Sequence, residues 1–369
     1  MRIVPILIML TVVLGAHYYV FYRLWFMIPH PIGRVVVLTL GLLALLSPIF
    51  SMFVGDYLSV SVTTLMSRIG SSWIMIFIYL VLIFGVLDLL RLTHFIPIGR
   101  ILASSWVSFG VLALLIASLF TFGYFNYRNK QKVELSLTIN KVGSAINPLK
   151  IVAISDLHLG YNIGKAEFES WLPLINGENP DVILIAGDLV DSNTHPLFEQ
   201  NFAESVKKLH AKYGVYAVLG NHEYIGNAAK SAAFLQSAGI TLLRDSVALI
   251  DDSFYLVGRD DRSNSKRKPI SELIAPIDKT KPIIMLDHQP ANLEETADNL
   301  IDLQLSGHTH NGQIWPLSIV TNLIFEKSYG YLKKGDSQIY VTSGIGLWGG
   351  KFRIGTRSEY VVIDLSFEQ

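Results

Sequence analysis

Seven side chains able to bind a metal stand in five short clusters of the C-terminal part of this chain: Asp156 and His158, Asp188, Asn221, His288, then His308 and His310. Each cluster lies beside a glycine or a strand-like apolar run. Carboxylate, amide and imidazole donors in this number are what two adjacent divalent cations need in order to activate water against a phosphate ester. The chain has no cysteine, which excludes disulfides, thiolate metal sites and cysteine nucleophiles, so the ligands must be nitrogen and oxygen donors. Such a set suits Mn²⁺, Fe²⁺ or Zn²⁺ and does not choose among them. The neutral carbonyl oxygen of Asn221 keeps the site from gathering more anionic charge than two cations can offset.

These clusters must be brought together by the elements that precede them. Ile151 to Ser155 runs into Asp156 and His158, Val182 to Ala186 into Gly187 and Asp188, Val215 to Leu219 into Gly220, Asn221 and His222, and Ile283 to Leu286 toward His288. Each run reads as a strand, and in an α/β sheet the carboxyl ends of strands form the crevice where ligands bind. Between the first three runs, residues 165 to 175 and 196 to 213 carry apolar positions at helical spacing, Phe198, Phe202, Val206 and Leu209 among them, so the connections read as right-handed βαβ crossovers. Further strands are expected at 246 to 250, 253 to 258, 282 to 286, 302 to 305, 338 to 342 and 359 to 365. There is no internal repeat and no low-complexity tract.

The hydrophobic content of 51% is concentrated in the first third. Residues 3 to 22, 35 to 55, 69 to 87 and 101 to 127 contain no Asp, Glu, Lys or Arg, and each is long enough to cross roughly 30 Å of hydrocarbon as a helix. Four transmembrane helices over residues 1 to 128 are therefore expected, with Arg128, Asn129, Lys130, Gln131 and Lys132 suited to the headgroup region. Val133, Leu135, Leu137 and Ile139 then alternate with polar residues as in a strand, so a second domain over 129 to 369 is expected, large enough for a sizeable α/β core. Loop arginines at 23 to 34 and 91 to 100 are outnumbered by one by Arg2, Arg68, Arg128, Lys130 and Lys132, which favours a cytoplasmic second domain. Asp88 near the end of the third span is a functional candidate, since acids inside a membrane are costly and often functional, with Arg91 one turn later offering a structural partner instead. A formal net charge of zero gives no nucleic-acid footprint, and duplex DNA or RNA is not an expected partner.

Taken in order, Asp156-Leu157-His158, Gly187-Asp188, Gly220-Asn221-His222-Glu223, His288 and Gly307-His308-Thr309-His310 match the dispersed pattern D-x-H, G-D, G-N-H, H and G-H-x-H. Over about residues 147 to 366 the chain resembles the calcineurin-like metallophosphoesterase superfamily, and more closely its membrane-anchored branch. The resemblance implies a β-sandwich of mixed sheets flanked by helices, here preceded by the four transmembrane helices. It also implies two divalent metal ions, one held by Asp156, His158, Asp188 and His310, the other by Asp188, Asn221, His288 and His308, with a hydroxide bridging them as nucleophile. His222 is implied as the catalytic residue, a general acid or charge stabiliser at the leaving group; the alternative is a histidine that only orients Asp156 through a hydrogen bond. Glu223 is a candidate for holding a backbone group. Relatives usually read G-H-T-H-G-G-Q, so Asn311 stands where they have glycine.

The expected activity is hydrolysis of a phosphodiester or pyrophosphate, of a lipid or a nucleotide-linked lipid; UDP-2,3-diacylglucosamine pyrophosphatase of lipid A synthesis is one similar enzyme. The expected location is a bacterial inner membrane, with the bilayer and a phosphate-ester substrate as partners. Alternatives are a phosphodiesterase of cell-wall or other non-lipid esters and a noncatalytic membrane scaffold that keeps the fold. His195 and His210, with His17, His30 and His94 of the membrane part, read as structural. The apolar segment Trp315 to Phe325, downstream of His310, reads as core packing, with contact to lipid or to acyl chains of a substrate as the other reading.

Overall fold

The computed structural model describes residues 3 to 94, 98 to 141, 146 and 148 to 368; Arg2 and Asn147, which enter the charge count and the motif-bearing span, lie outside the described residues. The chain divides into two compact units, Met1–Tyr124 and Phe125–Gln369, a break that falls within a helix a little before the expected boundary at 128.

The first unit is helical: α1 (Ile3–Met27), α2 (Pro31–Val54), α3 (Val60–Arg91), a single turn α4 (Ile98–Ile101) and α5 (Trp106–Arg128). Four of these are long and apolar enough to cross a membrane, and at most 28% of the apolar window in any of them is buried. Large apolar side chains left open over such lengths are stable only in a solvent as apolar as they are. Inside the bundle, Val20, Leu24 and Met27 of α1 pack with Leu80 and Phe84 of α3. The helices run past the charge-free windows, so Arg23 lies in α1 and Arg68 in α3 rather than in loops. The expected pairing of Asp88 with Arg91 is replaced by one across the bundle. Arg23 Nη2 lies 2.5 Å from Asp88 Oδ1, and the Tyr19 hydroxyl donates to Asp88 Oδ2 at 2.5 Å. A cation and an anion in an apolar span are each costly alone, and neutralise one another when a bundle brings them together.

The second unit is a sandwich of two six-stranded sheets. The first has the order β1 (Gln131–Ile139), β12 (Glu359–Phe367), β2 (Leu149–Ile154), β3 (Val182–Ala186), β4 (Val215–Val218), β5 (Thr241–Leu242). The second runs β10 (Gly330–Lys334), β11 (Ser337–Val341), β9 (Leu303–Ser306), β8 (Ile283–Leu286), β7 (Phe254–Gly258), β6 (Ser246–Ile250). β2, β3, β4 and β5 are parallel, as are β7, β8, β9 and β11; β12 is antiparallel to β2, and β6 and β10 close the other sheet antiparallel to β7 and β11. The sheets are therefore mixed, as expected.

Strand alternation divides the core into layers. Ile151, Ala153, Val182 and Leu184 meet Leu256, Ile284, Leu286, Leu303 and Leu305 between the sheets. Val152, Ile154, Ile183 and Ile185 turn outward onto helices carrying Phe168, Trp171, Ile175, Phe202 and Phe234. Two helices expected from periodicity are broken. The first gives Lys165–Glu169 and Leu172–Asn176, the second His195–Glu199 and Phe202–Val206, the latter parted at Asn201 with φ of 50°. That break turns Phe198 out of the core to 60% exposure, while Phe202, Val206 and Leu209 stay buried. The basic stretch at 128 to 132 also differs from a solvated headgroup face: Lys130 Nζ is buried over the rings of Tyr127 (3.5 Å) and Trp171 (4.8 Å), and Lys132 pairs with Glu134 and Glu178.

Replacing Asp88 by Ala strands Arg23 in an apolar span at a cost of about 3 kcal/mol. The thermal midpoint of the purified protein in detergent is expected to fall, and the double variant Arg23→Leu, Asp88→Leu to recover most of the loss.

Candidate metal centre

All seven side chains singled out in the sequence converge where β2, β3, β4, β8 and β9 deliver their following loops. Asp156, His158 and His310 have ligand atoms within 4.8 Å of one another, and so do Asp188, His288 and His308. Asn221 joins the second group, its Oδ1 lying 2.7 Å from His308 Nδ1 and 3.2 Å from His288 Nε2. Asp188 stands between the groups. Its Oδ2 is 3.7 Å from His158 Nε2 and 3.2 Å from His288 Nε2. Its Oδ1 accepts the backbone N–H of His222 at 2.9 Å, which leaves the other oxygen facing both sets of imidazoles.

The backbone is bent hard to achieve this. Asp156, His158, Asp188, His308 and His310 have φ of 54°, 46°, 50°, 72° and 50°, the left-handed region that non-glycine residues seldom occupy. Asn311 follows with φ of 50°, and asparagine is the side chain that best tolerates this conformation after glycine. That explains how a side chain can stand at this left-handed position. Neighbouring glycines give the carboxylates room: a Cβ on Gly220 would lie 2.2 Å from Asp188 Oδ1, and one on Gly307 2.4 Å from Asp156 Oδ2.

Lone pairs crowd this site beyond what hydrogen bonds can satisfy. His158 Nε2 and His310 Nε2 face one another at 3.1 Å, and His310 Nδ1 is buried without a hydrogen-bond partner among the described residues. His288 Nδ1 is bonded to the carbonyl of Ala186 at 2.7 Å, so as a neutral ring donating there it directs an acceptor nitrogen at the oxygens of Asp188 and Asn221. Against the burial that disfavours its charge, the carboxylate of Asp188 holds His288 well above the ordinary imidazole range. The site thus demands positive charge, and nitrogen and oxygen donors with these spacings fit two divalent cations.

The surrounding contacts fix the ligands. The N–H of His308 donates to Asp156 Oδ1 at 3.0 Å. Glu223 does hold backbone groups: its Oε1 accepts from Val190 and its Oε2 from Gly220, tying the loops after β3 and β4 together. Burial, then the charge of Asp188, raises the Glu223 carboxyl to about 7. Arg353, fully buried, donates to the carbonyls of His310 (2.6 Å), Ser343 (2.6 Å) and Gly346 (2.9 Å), and burial brings it down to about 10.

Asp191 is a residue the sequence reading missed. Its Oδ1 lies 3.0 Å from His222 Nδ1 and 3.5 Å from His158 Nδ1. His222 therefore donates its Nδ1 hydrogen bond to Asp191, and the alternative in which it orients Asp156 is not what the structure shows. Burial works against a charged His222 ring, but the bond to Asp191 and the charge of Asp188 raise it to about 9. Its position three residues after Asp188 was the available signal, hidden because a single aspartate in a loop is unremarkable. His195 and His210 lie apart from this site, His195 near the Tyr161 hydroxyl and His210 exposed.

Residues 149 to 312 match the family model described as calcineurin-like phosphoesterase. A metallophosphoesterase of Aquifex aeolicus is 32% identical over 225 residues, which span 59% of this chain and 85% of that protein. This chain belongs to the calcineurin-like metallophosphoesterase family. It is also similar to a transmembrane protein with metallophosphoesterase domain from Danio rerio, 33% identical over 69% of this chain and 62% of that one. A metallophosphoesterase of Helicobacter pylori is 34% identical over 59% of this chain and 60% of its own length. The chain thus spans about three-fifths of the length of these last two relatives. The span matched by the family model contains all seven candidate ligands, from Asp156 to His310.

Asp188→Ala is expected to remove metal and turnover together, read by elemental analysis of the purified protein beside an activity assay. Asp191→Asn should leave two ions per chain while lowering kcat by about 10- to 100-fold, the range typical of groups that orient a ligand or acid from behind.

Proposed function

We propose that this metallophosphoesterase hydrolyses a phosphodiester or pyrophosphate bond of a lipid or a nucleotide-linked lipid, with Asp156, His158, Asp188 and His310 holding one ion and Asp188, Asn221, His288 and His308 the other. The reading rests on one observation above the rest: a single oxygen of Asp188 lies within reach of imidazoles from both groups. Two bound divalent ions supply charge that stabilises the developing phosphoryl oxyanion and lowers the pKa of water to near neutrality.

The protein's own groups then account for orientation and proton transfer. Asp191 fixes the ring of His222 through Nδ1, so that Nε2 is the nitrogen left to face substrate. Protonated there, His222 gives its proton to the leaving oxygen or stabilises the charge on it. Asn221 brings a neutral oxygen to the second group, and the His222 amide keeps Asp188 from rotating.

A membrane-borne substrate is favoured by the four apolar helices on the same chain. UDP-2,3-diacylglucosamine is one compound of the right chemistry, since its pyrophosphate links a nucleotide to a diacylated sugar. The basic residues after the fourth long helix support a cytoplasmic catalytic domain in a bacterial inner membrane. A reporter fused after Gln369 that is active only outside the cytoplasm would reverse that placement. The complete set of candidate ligands speaks against a noncatalytic scaffold.

Purified protein loaded with Mn²⁺ is expected to hydrolyse a chromogenic bis-aryl phosphodiester, and chelation to abolish the reaction. His222→Ala should retain its metal and lose about 10²-fold or more in kcat. Lipid extracts from cells with and without the protein are expected to differ in one phosphorylated lipid species; identical extracts beside robust hydrolysis of the soluble ester would move the substrate to the non-lipid class.

A further inference from the structure

The segment after His310 departs most from its sequence reading. Residues 317 to 324 form a helix, Leu317–Ile324, with no buried residue. Ile319, Val320, Leu323 and Ile324 share one face and point outward, Leu323 at 82% and Ile324 at 68% exposure. Trp315 just before the helix is also largely exposed. No Asp, Glu, Lys or Arg occurs between residues 311 and 325. Core packing is thus overturned: this is an amphipathic helix whose apolar side faces out of the protein, a patch that in a soluble enzyme would be a liability.

The same compact unit contains the last turn of a membrane-length helix, and both are fastened to one strip of backbone. Asn126, near the end of α5, donates from Nδ2 to the carbonyls of Arg353 (2.9 Å) and Thr356 (2.8 Å). Trp315 donates its N–H to the carbonyl of Ile354 at 2.7 Å, and the Thr356 hydroxyl donates to Gln313 at 2.6 Å. Residues 353 to 356 therefore join the end of a span to the start of the apolar helix. Only Asn129 and Lys130 separate α5 from β1 in the chain. The patch also adjoins the metal centre. The Phe325 ring lies 5.8 Å from that of His308, and Trp348, nearly half exposed, has its ring 6.5 Å from that of His222 while its carbonyl accepts from Gln313.

We propose that helix Leu317–Ile324, with Trp315 and Trp348, is a membrane-docking surface that rests in the headgroup and upper acyl region of the bilayer and presents the metal centre to phosphoesters lying in the plane of the membrane. Exposed tryptophan together with aliphatic side chains is the composition that such an interface favours. The delivery of substrate rests on the function proposed above; the docking does not.

The absence of native cysteine makes Leu323→Cys a single labelling site in the full chain. With a spin label there and the protein reconstituted in phosphatidylcholine and phosphatidylglycerol vesicles, collisions with oxygen should exceed those with a water-soluble nickel chelate, as at a Leu114→Cys control in α5. A label that behaves like a Leu300→Cys control, on an exposed loop of the sandwich, overturns the docking. Spin–spin broadening that vanishes on dilution with unlabelled protein overturns it in favour of a second copy of the chain. In the double variant Ile319→Asp, Leu323→Asp, with metal content unchanged, hydrolysis of a fluorescent phosphodiester anchored in the vesicles should fall about tenfold or more, while a soluble bis-aryl phosphodiester is turned over as before. An equal loss on both esters overturns substrate delivery. A lipid-like label in a protein that hydrolyses neither ester supports docking and strikes the proposed function instead.

Discussion

The second unit is organised around a concentration of electron pairs that protein groups cannot neutralise by themselves. Two buried carboxylates, an amide oxygen and four imidazoles turn toward a common space, with Asp188 between the two groups. Like poles brought this close in a dry interior repel strongly unless positive charge enters. The raised pKa of His288 is the mark of that demand, produced by the field of Asp188 against the cost of burial. Two divalent cations held by these residues would meet the same demand and would add Lewis acidity.

Holding such an arrangement together requires rigid supports, because the five strained backbone positions at the ligands each oppose folding by about 1 to 3 kcal/mol. The supports are the parallel strands β2, β3, β4, β8 and β9, whose inward residues interlock between the sheets and whose outward residues on the first sheet lock the helices. Glycines at 187, 220 and 307 are required for a different reason: their missing Cβ atoms are where ligand side chains lie. The strain is local to the ligands, and the stability that tolerates it lies in the sandwich beneath them.

Arg353 links the metal centre to its surroundings. Its guanidinium is spent on backbone carbonyls, one of them that of the candidate ligand His310, while its own carbonyl is held by Asn126. The last turn of α5, the loop carrying His308 and His310, and the apolar helix that follows are thus parts of one hydrogen-bonded assembly. A buried cation satisfied by carbonyls and the Ser358 hydroxyl, with no carboxylate bonded to it, is costly to form and sensitive to displacement, which suits it to fixing position.

How much of this was legible depended on the range of the interaction. The D-x-H, G-D, G-N-H and G-H-x-H clusters and the strands before them could be read because strand alternation and ligand chemistry are both local. The long apolar helices could be read because membrane thickness sets their length directly. Strand β5 escaped notice since two residues carry no periodicity, and β10 because Gly330–Lys334 has only two apolar residues, side by side; the helix expected at 196 to 213 broke at Asn201, where a single left-handed residue outweighs the pattern. Partnerships between distant residues were beyond reach. Asp88 chose Arg23 over Arg91, Lys130 turned into an aromatic cleft, His222 took Asp191, and the segment from Trp315 to Ile324 faced outward although it is as apolar as a core helix. Composition and spacing determined which ligand donors this chain carries and that it has helices of membrane-spanning length. Tertiary structure alone decided which charges pair and which apolar face stays open, because those outcomes depend on distances between segments that hydrophobic periodicity leaves unspecified.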